Sequence, residues 1–291
     1  MNADSTFIPA TSQRQALDWN LVLISQDIPS ILVHRDEDDR WGLTVDPRDL
    51  DRALAAIRQY QRENRGWSWR QELPWTGIVF HWGALFWCAL LVFFYVLEEV
   101  RGIPLRADGL MDSAAILSGQ WWRLFTAITL HADVGHLAAN ATIGFLLLGL
   151  AMARFGPGWG LLASFLTGVG GNLLGLILYP LPHRSLGSSG MVLGALGLVG
   201  VQSASLWRES PHGARYFISG LLAGLMLFIL LGLDPKADLV AHLGGFLCGG
   251  LFGAVLAWLP MSFLQSPRSN LVASLLLSFL VLYPWWLALN S

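Results

Sequence analysis

Residues 186–191 read Leu186-Gly187-Ser188-Ser189-Gly190-Met191, two hydroxyls between glycines at the mouth of an apolar, glycine-rich run. A serine hydroxyl is a poor nucleophile until a base takes its proton, and a neutral imidazole within reach is such a base. His242 stands one helical turn after Asp238 at the start of another apolar run. His136 and Asn140 are spaced i, i+4, so a helix puts them on one face. Ring and amide could there donate to an oxyanion, beside a backbone N–H at Ser189. These types at these places outline acyl transfer. Ser189 is the candidate nucleophile and His242 the candidate base. His136, Asn140 and the Ser189 N–H are the candidate oxyanion donors.

Membrane helices must position them. Of 291 residues 54% are hydrophobic and 13% charged, about half the usual charged share. Nine of the 18 Lys+Arg and 11 of the 20 Asp+Glu fall in residues 1–70, leaving the remainder nearly charge-free. A net charge of -2 gives no footprint for nucleic acid. Seven apolar spans follow, at about 78–97, 136–153, 158–179, 189–206, 214–232, 238–258 and 271–289, against the roughly 20 residues that cross a bilayer. If they alternate, spans 2, 4 and 6 enter from one side. Each carries its polar residues within a turn or so of its start: His136 and Asn140, Ser188 and Ser189, Asp238 and His242. Those groups then share one depth.

Gly190, Gly194 and Gly197 on span 4, and Gly245, Gly249 and Gly253 on span 6, offer faces on which two membrane helices approach closely. The top of span 4 then meets the top of span 6. Singly, Ser, Asn and His also read as interhelical glue worth about 0.6 kcal/mol, and a serine between glycines as a helix N-cap. Four such groups at one depth favour chemistry, because ionisable residues are costly to hold in a membrane.

Arg58, Arg62, Arg65, Arg70, Arg154, Arg208, Arg215 and Arg268 fall on one side. Arg101, Arg106, Arg123, Arg184 and Lys236 fall on the other. This bias puts the N-terminus in the cytoplasm of a multi-pass protein of the cell (inner) membrane. No signal peptide is expected, since residues 1–70 lack an apolar core segment. The stretch 101–135, with Trp121 and Trp122, suits a segment at the lipid interface.

Residues 1–70 read as a small αββα module. A helix over 12–28 spaces Leu17, Leu21, Ile24 and Ile28 as its apolar stripe. Strands over 30–35 and 40–45 flank the acidic stretch Asp36-Glu37-Asp38-Asp39, a solvated turn and not a metal site. Asp46-Pro47 opens a second helix to about Asn64. Cys88 and Cys248 read as small buried hydrophobes without a disulfide. No cofactor or metal is expected, and HExxH is absent.

In this order the motifs resemble those of the rhomboid family of intramembrane serine proteases. Gly187-Ser188-Ser189-Gly190 resembles its GxSG. His131-Ala-Asp-Val-Gly-His136-Leu-Ala-Ala-Asn140 resembles its HxxxxHxxxN. Trp122-Arg123 is similar to the pair in its first outer loop, and Ala241-His242-Leu-Gly-Gly245 to its catalytic-histidine segment. Gly170-Gly171-Asn172, followed by Pro180, is similar to its third helix. The likeness covers about residues 75–260.

The resemblance implies an all-α polytopic membrane protein that hydrolyses peptide bonds in or near transmembrane segments with a Ser189–His242 dyad. His136 and Asn140 would be the oxyanion donors, His131 a loop-structuring residue and Arg123 a structural one. A dyad leaves Asp238 unassigned, at the interface, capping its helix or orienting His242. The chain departs from the family at Ala151-Met152-Ala153-Arg154, where many relatives have a glutamate, and in its seventh span.

The expected organisation is a soluble α/β module (1–70), a linker (71–77), a rhomboid-like six-helix bundle (78–260) and a seventh C-terminal transmembrane helix (261–291). Expected partners are transmembrane protein substrates and the lipid bilayer, with a regulator or self-association for the N-terminal module. The alternative is a non-catalytic binder or escort of membrane proteins on the same scaffold. A transporter fits less well, since no internal repeat is visible and the polar groups avoid the midplane.

Overall fold

The computed structural model describes residues 6–35, 39–64, 80–201, 213–232 (side chains from 218) and 238–291. The acidic residues 36–38, the linker 71–77, the start of the first span, Arg208 and Lys236 lie outside the described residues. The chain forms two compact units, Met1–Trp75 and Thr76–Ser291.

The first unit contains β1 (Thr6–Pro9), α1 (Gln13–Ser25), β2 (Ser30–Arg35), β3 (Arg40–Val45) and α2 (Leu50–Glu63). It is βαββα, with one strand more than the pattern predicts: four residues ending in proline show no alternation to read. The antiparallel sheet has the order β1-β3-β2, with Thr6 and Ser30 both opposite Val45. The Asp46 carboxylate accepts from Arg48 N–H at 2.8 Å and opens a 3-10 turn, Pro47–Asp49, that runs into α2.

The predicted face of α1 is corrected. Leu17, Leu21 and Ile24 are exposed, at 43%, 66% and 56%, and only Ile28 of the four is buried. The helix is apolar on two sides. It packs through Ala16, Trp19 and Leu23 into a core with Leu43, Val45, Ala53 and Ile57. The small Ala16 permits close approach, and Trp19 buries the largest surface on that side.

The second unit is a helix bundle. Its elements are α3 (Ala84–Glu99), α4 (Leu105–Gly109), β4 (Met111–Asp112), α5 (Ser113–Leu117), α6 (Arg123–Thr126), α7 (Val134–Phe155), α8 (Pro157–Leu178), β5 (Arg184–Ser185), α9 (Ser189–Gly200), α10 (Gly213–Gly232), α11 (Leu239–Trp258), α12 (Met261–Leu264) and α13 (Pro267–Leu289). Helices α7, α8, α11 and α13 are long and apolar enough to cross a membrane. The short α9 is buried from Gly190 through Leu198. Its 12 residues rise only about 18 Å, against a hydrocarbon core of roughly 30 Å.

Residues 101–130 form short helices, and the β4–β5 pair ties them to the loop before α9. Arg123, 8% exposed, braces this region. Its guanidinium donates to the carbonyls of Leu110 (3.0 Å) and Ala107 (2.9 Å) and to Gln120 Oε1 (2.6 Å).

Helix α13 shares the main core through Ala273, Leu277, Val281 and Trp285. Trp285 Nε1–H donates to Thr129 Oγ1 at 3.1 Å. Asn270 Oδ1 accepts from Gly158 N–H at 2.8 Å, and its amide donates to Leu264 C=O at 2.6 Å. The seventh helix thus caps the start of α8, close to where the expected glutamate is missing. Both cysteines are free and half-buried.

Candidate active site

Helices α9 and α11 meet through their glycines. A methyl group on Gly245 would overlap the carbonyl oxygen of Gly190, and one on Gly249 that of Gly194. One on Gly253 would come within 2.8 Å of Leu198 C=O. These pairs keep a constant offset along both helices, so the two run parallel and start at the same end. The register brings the first turns together. A methyl on Gly190 would sit 3.2 Å from the carbonyl oxygen of Ala241. Gly190 follows Ser189 and Ala241 precedes His242, so backbone contact joins the immediate neighbours of both.

Ser189, His242, His136 and Asn140 all line one cavity of about 790 Å³. Its remaining wall includes Ile143, Val192, Leu193 and Leu231, with Tyr179, His183, Arg184 and Asp238 also lining it.

Asp133 starts α7 by accepting from His136 N–H at 2.8 Å. His136 and Asn140 follow on one face of that helix and lie against Gly187. A Cβ there would fall 2.7 Å from His136 Cε1, 2.9 Å from His136 Nε2 and 3.7 Å from Asn140 Nδ2. Gly187 has φ +126, a conformation that L side chains rarely adopt. Glycine is therefore needed twice over, for the turn and for the approach. Its N–H donates to Ala127 C=O at 2.9 Å. Asn140 is 7% exposed, and its Nδ2 has no hydrogen-bond partner among the described residues.

The two serines differ. Ser188 holds the N-cap position of α9 without a capping bond from its side chain. Its buried hydroxyl lies 3.3 Å from His131 Nε2. Ser189 is the first helical residue, so its backbone N–H has no intrahelical partner. His131 is 1% exposed. Burial pushes its pKa down to about 3, with His136 nearby acting in the same direction, so the ring is neutral.

The buried His242 has its Nδ1 2.9 Å from the carbonyl oxygen of Gly232, at the end of α10. A carbonyl only accepts, so Nδ1 carries a proton, and in the neutral ring Nε2 keeps its lone pair. That is the tautomer a general base requires. Asp238 faces elsewhere. Oδ1 accepts from Ala241 N–H at 3.0 Å as the cap of α11, and Oδ2 lies 3.1 Å from His183 Nε2.

The four residues singled out from the sequence thus meet at one cavity. It also includes Tyr179 and His183, two residues that no motif marks. A polar pair in a short loop between apolar spans has no spacing that sets it apart.

A family model of the Rhomboid domain matches residues 118–287. The chain belongs to the rhomboid family. The curated relatives it resembles include "Rhomboid protease GluP" of Bacillus subtilis, 31% identical over 183 residues, or 59% of this chain and 34% of the relative. "RHOMBOID-like protein 1" of Arabidopsis thaliana is 31% identical over 170 residues, 58% of this chain and 43% of the relative. "Rhomboid-like protease 3" of Toxoplasma gondii is 29% identical over 143 residues, 48% and 54% respectively. The chain spans about a third to a half of the length of these relatives. Family and apolar helices together make this rhomboid an integral membrane protein.

Proposed function

We propose that this chain is an intramembrane serine protease that hydrolyses peptide bonds in or near transmembrane segments of membrane proteins. One observation carries the reading. Ser189, His242, His136 and Asn140 line a single cavity, and the His242 imidazole is bonded so that Nε2 is available as a base.

In this mechanism Ser189 Oγ attacks the scissile carbonyl carbon as its proton passes to His242 Nε2. The carbonyl oxygen becomes an oxyanion, which the Asn140 amide, the His136 ring and the Ser189 N–H stabilise. The imidazolium then protonates the leaving amine. One fragment departs, and the other remains as an ester on Ser189. His242 next takes a proton from water, whose oxygen attacks the ester; the acyl C–O bond then breaks as the imidazolium proton returns to Ser189 Oγ, and the second fragment leaves as a carboxylic acid.

Backbone groups in a membrane helix are already hydrogen-bonded to one another. A scissile carbonyl must leave that ladder first, so substrates with helix-breaking or small residues near the cut are favoured. The apolar wall of Ile143, Val192, Leu193 and Leu231 suits the side chains of such a segment. The site acts at the outer face of a cell (inner) membrane, with the N-terminus cytoplasmic, where its module takes a regulator or self-associates.

A fluorophosphonate probe tests the assignment. The wild-type protein in liposomes is expected to take one label, on Ser189, and Ser189→Ala none. An unlabelled wild type that still co-purifies with membrane-protein clients would favour the escort reading.

A further inference from the structure

The rim of the same cavity carries Tyr179, His183 and Asp238, three side chains that the proposed chemistry leaves unused. The first two belong to the segment between α8 and α9, and the third precedes α11. Asp238 bridges them, one oxygen on Ala241 N–H and the other on His183. The Tyr179 ring stacks on the His183 ring, with centroids 4.1 Å apart and planes at 26°. The Tyr179 hydroxyl oxygen accepts from Val240 N–H at 3.3 Å. Two of the amides that a helix start leaves open are thus satisfied by this cluster. His183 is itself fixed from behind. Its N–H donates to Ser113 Oγ at 2.8 Å, and its carbonyl accepts from Ser113 N–H at 3.0 Å. The neighbouring Arg184 pairs with Asp112 at 2.7 Å.

We propose that Tyr179, His183 and Asp238 form a positioning clamp, which holds the first turn of α11, and so the His242 ring, in register with the loop that ends at Ser189. The need for one follows from the helix contact. Glycine faces let the backbones touch from Gly190 and Gly245 onward, and the turn of α11 ahead of that contact is held by Asp238 and Tyr179 through the amides of Ala241 and Val240. A displacement of 1 Å at a reacting group can slow catalysis by about a hundredfold. The clamp adds a polar restraint at the end where the reacting groups lie. His242 N–H is bonded to Asp238 C=O at 3.0 Å, one turn along from that capping residue. The three residues therefore act through His242 and are not themselves catalytic.

The proposal rests on the Ser189–His242 reading, and its test separates the two. Cleavage of a single-span substrate in liposomes, and the rate of fluorophosphonate labelling, are compared for wild type, His183→Ala, His183→Gln and Tyr179→Phe. His183→Ala is expected to lower kcat and the labelling rate by about tenfold with KM unchanged. His183→Gln, which keeps a donor toward Asp238, restores most of both. Tyr179→Phe keeps the stacked ring and loses one oxygen, so it carries the test if His183→Ala does not fold. It is expected to slow both rates about threefold. Wild-type rates in His183→Ala or Tyr179→Phe overturn the clamp while leaving the dyad intact. So does a rise in KM at constant kcat, or a glutamine variant as slow as the alanine one. A wild-type protein that neither cleaves nor labels overturns the dyad, and the clamp with it.

Discussion

Asn140 holds a buried amide nitrogen with no partner among the described residues, beside the turn that presents Ser189. Such a donor is costly to leave unpaired, and an oxyanion would satisfy it. Asn140→Ala is therefore expected to lower kcat by about 10²–10³ with KM nearly unchanged, as steady-state cleavage kinetics would register. His131 makes a second prediction. Its pKa lies far below the ordinary 6.5 because it is buried. Between pH 6.5 and about 3 the unfolded chain binds a proton here that the folded chain refuses. Stability must fall as pH falls through that window, by up to about 1.4 kcal/mol per pH unit. Thermal unfolding in detergent from pH 7 to 4 should show a shallower fall for His131→Asn, and equal slopes would refute it. The order of the serine, asparagine and histidines along the chain made their meeting legible in the sequence. The bond between His131 and Ser188, and that between His183 and Asp238, join residues more than fifty positions apart. No local pattern announces such pairs.

Helix contacts made of glycine leave little room for change. Gly245→Val would drive a side chain into the Gly190 carbonyl. The two helices must then separate at the level of Ser189 and His242, at a stability cost of about 1–3 kcal/mol or more. Loss of cleavage together with a lowered melting temperature is the expected result. Asn270→Ala acts at the other end of the bundle, leaving Gly158 N–H and Leu264 C=O without their partner. Equilibrium unfolding should register a loss of about 1–3 kcal/mol with the site chemistry intact. The glycine faces were legible because small residues at spacing four in apolar helices have a physical use. The tie from Asn270 to α8 was not, since a polar residue near a helix start reads only as a local cap. The buried face of α1 was not legible for a related reason. Two apolar stripes fit the helical period, and only the partner sheet decides which is buried.

Across the whole molecule, the uneven charge already divided the sequence into a polar first part and an apolar remainder, and the structure has two compact units. The first has its own core, centred on Leu23, Leu43 and Ile57. Residues 1–75 expressed alone are expected to unfold in one cooperative transition by circular dichroism, and a gradual, non-cooperative melt would contradict that. The second unit brings three helix starts to one cavity, and the proposed activity depends on that convergence. The most direct test is cleavage of a single-span membrane protein in liposomes by wild-type, Ser189→Ala and His242→Ala proteins of equal thermal stability. The account predicts product from the wild type and none from either variant. Product from Ser189→Ala at the wild-type rate would contradict it.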